Sequence, residues 1–160
     1  RMDMENLASD TTPHDEAQRI LEARIDALFH TAYEIVERHW QFVRRMESKS
    51  SHWEEKSSLQ LRCEKVGNSI RADWCGIRWH GSKAMGNRGA TRVYIAKPKG
   101  VHGYTLSKIM AFAKEWEKPM IEETEARLAA IRREAGLLVK AIAAIRIAKR
   151  AVAPVEAARP

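Results

Sequence analysis

The amino-acid sequence predicts an α+β fold: a long N-terminal helix, a three-stranded antiparallel meander and a long kinked C-terminal helix. Three observations support it. Apolar residues recur every three or four positions over 14–47, which is the spacing of a helix. They alternate with polar residues over 58–97, which is typical of strands. After residue 105 they again recur every three or four positions. The 160 residues are 44% hydrophobic and 31% charged, enough for one domain with its own core. We place that domain at 13–151, with disordered tails at 1–12 and 152–160.

The first predicted helix carries one continuous apolar stripe. The stripe repeats every seven residues, so it requires a helical partner, either in the same chain or in a second copy. Arg44 and Arg45 in the last turn complement the helix dipole. We assign His39, which falls on the stripe, to a core or an interface rather than to a metal site. The stripe consists of Leu21, Ile25, Leu28, Ala32, Ile35, His39, Phe42 and Met46.

A polar linker at 48–57 separates this helix from three predicted strands, at 58–66, 69–80 and 91–97. Alternate residues of each strand are apolar, which is typical of a sheet with one buried face. Turn residues between the strands predict two successive hairpins, and therefore an antiparallel meander.

The second strand changes phase after Cys75-Gly76. Ile77 and Trp79 have the opposite parity to Trp74. A glycine inside a strand at such a point predicts a β-bulge, and the position of the bulge decides which face Arg78 joins.

The second long helix begins near Thr105 or Ser107, either of which is a suitable N-cap residue. Pro119 is expected to kink this helix or to divide it in two, because proline removes a backbone donor and clashes with the preceding turn. Both long helices carry seven-residue seams, so we expect them to pack together or to mediate dimerisation as a coiled coil. The second seam consists of Thr124, Leu128, Ile131, Ala135, Leu138, Ile142 and Ile145.

Positive charge is concentrated in the middle of the chain. The formal net charge is +7, and residues 61–103 hold nine Lys and Arg against two acidic residues, Glu64 and Asp73. A polyanion is the natural partner of such a segment, because neutralising phosphates releases condensed counterions. Nucleic acid is therefore the predicted ligand; a merely basic surface is the alternative.

The candidate nucleic-acid-binding residues fall on the outward face of the sheet and in two glycine-containing loops, 81–90 and 97–103. Arginines and an aromatic residue on an open face are typical of a phosphate-binding platform, although Glu64 and Asp73 could neutralise neighbouring arginines. Glycines let a loop approach a ligand closely, although a mobile solvated hairpin tip is the alternative for 81–90. The candidates are Arg62, Arg71, Arg78, Arg92 and Tyr94 in the sheet and Lys83, Arg88, Lys97 and Lys99 in the loops.

No catalytic or metal-binding pattern is present. The six histidines lack the spacing that would bring two to one metal, and no nucleophile elbow or zinc-protease pair occurs. We therefore expect no catalytic residue, no metal and no cofactor. Cys63 and Cys75 are expected to be reduced thiols, with a disulfide as the alternative. No membrane-spanning run or leader is recognisable, so a cytoplasmic protein without a membrane partner is expected.

The stretch Ser58–Trp79, with its Asp73-Trp-Cys-Gly-Ile-Arg-Trp79 core, is followed by His102-Gly-Tyr-Thr-Leu-Ser107 and by Lys114-Glu-Trp-Glu-Lys118. Together these segments resemble the MobI-type conjugative transfer proteins of integrative conjugative elements and plasmids. The resemblance covers roughly residues 50–135 and rests on strand and helix texture. It implies an accessory protein that acts at the origin of transfer and helps the relaxase to engage DNA. It supplies no catalytic residues.

Two hypotheses follow, from different functional classes. The first is a homodimeric, DNA-binding accessory protein whose partners are the origin of transfer and a relaxase or other transfer proteins. The second is a coiled-coil assembly or adaptor protein whose basic sheet docks an acidic protein. An enzyme would need a convergent polar pocket, for which the sequence provides no pattern.

Overall fold

The computed structural model describes residues 4–50 and 52–157 and confirms the α+β fold. Two long helices and a three-stranded antiparallel sheet form the body of the molecule. In chain order the elements are helices α1 (Met4–Ser9) and α2 (Thr12–Glu47), a 3-10 turn (Trp53–Glu55), strands β1 (Leu59–Val66), β2 (Ser69–His80) and β3 (Gly89–Tyr94), helix α3 (Leu106–Met110), a second 3-10 turn (Glu115–Glu117) and helix α4 (Lys118–Ala157).

The sheet has the order β1-β2-β3, and its register is continuous. Leu59 pairs with Gly76 at one end of β1, and the pairing of β2 with β3 runs without interruption from Cys75 to His80. The predicted β-bulge was therefore wrong. The third strand also starts and ends earlier than the predicted 91–97, because its pairing with β2 begins at Gly89 and ends at Tyr94.

Gly76 is required for packing rather than for a bulge. It faces the helices, and a Cβ atom built on it would lie 2.5 Å from the Phe112 ring. The apparent change of phase has another cause. Arg78 and His80 keep the inward parity of Trp74 but are exposed, while Ile77 and Trp79 lie on the opposite face.

Helices α2 and α4 pack antiparallel along their length. Arg24 at one end contacts Glu134 at 2.6 Å, and His39 further along contacts Thr124 at 3.0 Å. The two seams therefore pack together within one chain. The buried residues of α2 are three or four positions apart, with two consecutive intervals of four between Leu28 and Val36, so Val36 is buried and Ile35 only half-buried. These buried residues are Ile25, Leu28, Ala32, Val36, His39 and Val43.

The core lies between this helix pair and one face of the sheet. Trp74 is its largest buried side chain, and the His39 ring meets it edge-on at a centroid distance of 5.2 Å. The Trp40 indole donates a hydrogen bond to the Leu61 carbonyl at 3.0 Å. The other main core residues are Leu59, Leu61, Ala72, Ile109, Ile121, Leu128 and Ile131.

Pro119 divides the C-terminal helical region and does not kink it. It is the second residue of α4, where a backbone N–H has no helical acceptor and its absence costs nothing. The preceding turn is fixed by the Lys114 backbone N–H, which donates to the Glu117 carboxylate at 2.8 Å. The predicted long kinked helix is thus a short α3, a 3-10 turn and a long α4.

Helical structure extends into both segments predicted to be disordered tails. Helix α1 lies within 1–12 and contacts α4, and α4 continues through 152–157. Strong helix formers such as Ala and Glu are frequent in both segments. Residues 1–3 and 158–160 lie outside the described residues.

Candidate nucleic-acid interface

The face of the sheet opposite the helices is open to solvent in the described part of the chain. We call it the open face. Alternation along the strands places every second residue there, and these side chains are exposed or half-exposed. It consists of Gln60, Arg62, Glu64 and Val66 of β1, Ser69, Arg71, Asp73, Cys75, Ile77 and Trp79 of β2, and Ala90, Arg92 and Tyr94 of β3.

A groove of about 250 Å³ on the open face brings three of the predicted residues together. Arg62 and Arg92 line it from opposite sides of β2, and Tyr94 is 84% exposed beside them. Within the described residues, neither guanidinium forms a salt bridge. Asp73, the carboxylate in the groove, lies 3.4 Å from the Tyr104 hydroxyl, which donates to it. Both arginines therefore keep their charge available to an anion.

Arg71 is the one arginine of the open face that a neighbouring strand partly neutralises. Its guanidinium lies 3.8 Å from the Glu64 carboxylate, and both side chains are about half exposed. Exposed pairs of this kind contribute little and are screened by salt. Cross-strand neutralisation therefore applies to Arg71 and not to Arg62.

Arg78 does not lie on the open face. Since β2 is regular, Arg78 points toward the helical side of the sheet, where it lines a cleft of about 450 Å³ with Phe112, Lys114 and Glu54. The expectation that it belongs to the outward set depended on the bulge, which is absent from the described strand.

The loop at 81–88, which we call the hairpin tip, presents Lys83 and Arg88, both exposed. Its conformation is defined by hydrogen bonds. The Ser82 N–H donates to the Asn87 side-chain oxygen at 2.8 Å, and the Asn87 N–H donates back to the Ser82 carbonyl at 3.2 Å. Gly81 has φ +75°, and a Cβ there would lie 2.1 Å from the Asn87 carbonyl oxygen. The hairpin tip therefore holds its cations in a defined turn.

Lys97 and Lys99 lie in the second loop, apart from the groove. The Lys97 ammonium donates to the Val101 carbonyl at 2.7 Å and shares a cleft of about 320 Å³ with Arg132 and Lys140 of helix α4. Lys99 is exposed at the turn before Gly100. The nine predicted residues are thus divided among the open face with its hairpin tip, the cleft at Arg78, and this second loop.

A buried ion pair that was not predicted from the sequence lies beside the second loop. Arg132 contacts both carboxylate oxygens of Glu125 at 2.9 Å, and the two side chains are 8% and 4% exposed. Arg132 also donates to the Ala72 carbonyl at 2.7 Å and to the His102 carbonyl at 2.9 Å. It thereby fixes both the edge of β2 and the loop before Tyr104.

Glu125 completes this network from helix α4. Its carboxylate accepts hydrogen bonds from the Trp74 indole and from the Tyr104 backbone N–H, both at 2.8 Å. The Tyr104 ring lies 5.1 Å from the Arg132 guanidinium, and burial raises the pKa of its hydroxyl to about 12. One signal was available in the sequence: Glu125 and Arg132 are seven residues apart and flank the apolar seam at Leu128.

The titratable groups of the core behave as structural residues. Burial lowers the pKa of His39 to about 4, so its imidazole is neutral near pH 7, which agrees with its predicted place in the core. Cys63 and Cys75 are free thiols on opposite faces of the sheet, and burial raises the pKa of Cys63 to about 11. The alternative, a disulfide between these two cysteines, is therefore not formed.

Burial also raises the pKa of Glu117. This carboxyl group accepts a hydrogen bond from the Ser57 hydroxyl at 2.7 Å and so ties the linker to the start of α4. Within residues 4–50 and 52–157, no group of three or more His, Cys, Asp and Glu side chains is placed to hold a metal. No helix in that part of the chain combines the length and the apolar character needed to cross a membrane.

Comparison with known proteins gives one assignment. No curated protein and no solved structure matches the chain. A family model described as MobI protein matches residues 28–146, which is more than half of the chain and includes the sheet, the groove and the buried ion pair. The resemblance noted for residues 50–135 is therefore confirmed and extends further in both directions. The chain belongs to the MobI family of proteins, which is related to conjugative mobilisation.

Proposed function

We propose that this protein binds DNA at a conjugative origin of transfer and helps the relaxase to engage it. The observation that carries the proposal is the groove of the open face, which Arg62 and Arg92 line without forming a salt bridge among the described residues. Membership of the MobI family supports the link to mobilisation. In this proposal the protein acts by binding, in the cytoplasm, and performs no catalytic step of its own.

Phosphate recognition explains why guanidinium groups suit this role. Each arginine presents donors in a planar fork that matches two phosphate oxygens, and neutralising phosphates releases counterions. The hairpin tip continues the same strand pair beyond Trp79 and adds Lys83 and Arg88 to the surface. The proposed contact surface is therefore the open face together with the hairpin tip.

Assistance to the relaxase requires a protein contact as well as DNA binding. The test is a nicking assay on a plasmid that carries the origin of transfer, with the cognate relaxase alone and with this protein added. The proposal expects more nicked plasmid in the second reaction. An equal yield, at concentrations where the protein occupies the DNA, would restrict the function to DNA binding.

The proposal includes a homodimer that forms through a surface other than the two helical seams. The seams first considered for dimerisation pack against each other within the chain, so a second copy must use the apolar residues that this pairing leaves exposed, among them Ile20 and Ile147. Light scattering of the intact protein tests this, since one chain has a mass of 18.3 kDa. A dimer that Ile147→Glu dissociates supports it, and a monomer at working concentrations removes the dimer.

DNA binding is tested by fluorescence anisotropy with origin-of-transfer DNA and a scrambled control, in single-stranded and duplex forms. Wild-type protein should prefer the origin sequence, and the double variant Arg62→Ala, Arg92→Ala should bind it more weakly. Arg133→Ala, which removes an exposed arginine of helix α4, is the matched control. No DNA binding by wild-type protein, together with tight binding of an acidic protein, would instead favour the adaptor hypothesis.

A further inference from the structure

The open face carries two aromatic side chains that the core does not use. Tyr94 is 84% exposed and Trp79 is 45% exposed. The register places both on this face, because Tyr94 pairs with Cys75 and Trp79 lies four residues further along β2. Four residues of a strand span about 13 Å, so the two rings stand apart on one surface with Ile77 between them.

Exposed rings of this kind suit unpaired bases. In a duplex both faces of each base are covered by its neighbours, and a ring on a protein surface has no base face to contact. In a single strand the bases can leave the stack, and an aromatic side chain can take the place of the neighbouring base. An open sheet with exposed aromatic residues offers such stacking positions.

The charges around the rings match a nucleic-acid backbone. Arg92 precedes Tyr94 by two residues on the same face, and Arg62 lines the other side of the groove. The carboxylates of this face are Asp73, which accepts from Tyr104, and Glu64, which lies beside Arg71. The open face therefore carries three arginines against two carboxylates, and this excess of positive charge favours an anionic ligand over an apolar protein surface or a second copy of the chain.

We propose that the open face binds single-stranded DNA, with bases stacked on Tyr94 and Trp79 and phosphates held by Arg62 and Arg92. This inference rests on the proposed DNA-binding function and specifies the form of DNA that the site takes.

The experiment compares a labelled single strand with its own duplex by fluorescence anisotropy. Tyr94→Ala should weaken binding of the single strand at least about fivefold, because one stacking contact is lost. It should leave duplex affinity unchanged. Tyr94→Phe keeps the ring and should bind like wild type. Tyr33→Ala removes a half-exposed tyrosine from helix α2 and is the matched control.

Trp79→Ala should show the same selectivity for the single strand, with circular dichroism used to verify that the sheet is intact. If wild-type protein binds DNA but Tyr94→Ala and Tyr33→Ala bind the single strand with equal affinity, the inference is overturned and the proposed function remains. Equal losses on single strand and duplex would overturn it too, since stacking on unpaired bases predicts a difference. Wild-type protein that binds neither form would remove the proposed function and the inference together.

Discussion

Arg132 covers the edge of strand β2 that strand β3 leaves unpaired, and Glu125 holds it there. Strand β3 pairs with β2 only from Cys75 onward, so the Ala72 carbonyl would otherwise lack a partner on that side. Arg132 donates to it at 2.7 Å while both Glu125 oxygens hold the guanidinium at 2.9 Å. A buried ion pair thus takes the place of the pairing that β3 does not provide beyond Tyr94, and the loop carrying His102 is fixed by the same guanidinium.

Removal of either partner of this pair should destabilise the fold strongly. Arg132→Ala leaves the Glu125 carboxylate buried without its cation, and the expected loss is about 3–5 kcal/mol in the free energy of unfolding. Urea denaturation followed by circular dichroism measures it. Arg127→Ala is the matched control, because the Arg127–Glu123 pair lies on the same helix at the surface. Its expected cost is below about 1 kcal/mol. Equal losses in the two variants would show that the buried network is not structurally important.

Gly76 should not tolerate a side chain. The added methyl group of Gly76→Ala meets the Phe112 ring at 2.5 Å, and overpacking of this kind costs about 1–3 kcal/mol. Phe112→Leu in the same chain should recover part of the loss, which a double-mutant cycle would measure.

Gly136→Ala is the opposite control. Gly136 lies inside helix α4, where a Cβ atom would come no closer than 3.5 Å to His102. Alanine should therefore stabilise the protein by about 0.5–1 kcal/mol through its better helix propensity. Destabilisation by Gly136→Ala and tolerance of Gly76→Ala would contradict the packing described for these two sites.

His39 should make stability depend on pH. Burial lowers its pKa to about 4 in the folded protein, whereas an unfolded chain has a histidine pKa near 6.5. Between these values the unfolded state binds more protons than the folded state. The contribution of neutral His39 to the free energy of unfolding is therefore complete above about pH 6.5 and is lost progressively as the pH falls toward 4. The total change attributable to this residue is about 3 kcal/mol.

The pH effect is isolated by comparison with His39→Asn, whose amide lies at the same side-chain position as the Nδ1 atom that contacts Thr124. Glu117 titrates in the opposite sense, because a raised carboxyl pKa favours the folded state as the pH falls, but it is common to both proteins. The stability advantage of wild type over the variant should shrink between pH 7 and pH 4.5. A constant difference would mean that His39 titrates normally in the folded protein.

Periodicity alone predicted the element types because each long helix and each strand buries one face. It failed where burial ends. Arg78 has inward parity but lies past the helical layer, so the apolar residues Ile77 and Trp79 on the opposite face were misinterpreted as the sign of a bulge. The sequence also could not show that Val36 and not Ile35 faces the core, because a seven-residue repeat and a 3.6-residue period differ only after several turns.

The candidate site was predicted in part for related reasons. The sequence predicted correctly that Arg62, Arg92 and Tyr94 share a face, because the alternation of side chains along a strand is a local pattern. Lys97, predicted in the second loop, lies apart from that face because the chain turns after β3 and the Lys97 ammonium donates to the Val101 carbonyl. Charged residues beside a helical seam are usually exposed, so the seven-residue spacing of Glu125 and Arg132 was not enough to identify the pair as buried.

The salt dependence of DNA binding decides whether Arg62 and Arg92 contact phosphates. Log binding constant against log salt concentration should be measured for wild type, for the double variant Arg62→Ala, Arg92→Ala and for Arg133→Ala. Each lost phosphate contact should reduce the slope by about 0.7 on single-stranded DNA or about 0.9 on duplex. We expect roughly twice that reduction in the double variant and none in Arg133→Ala. A double variant with the wild-type slope and affinity would contradict a DNA-binding role for the open face.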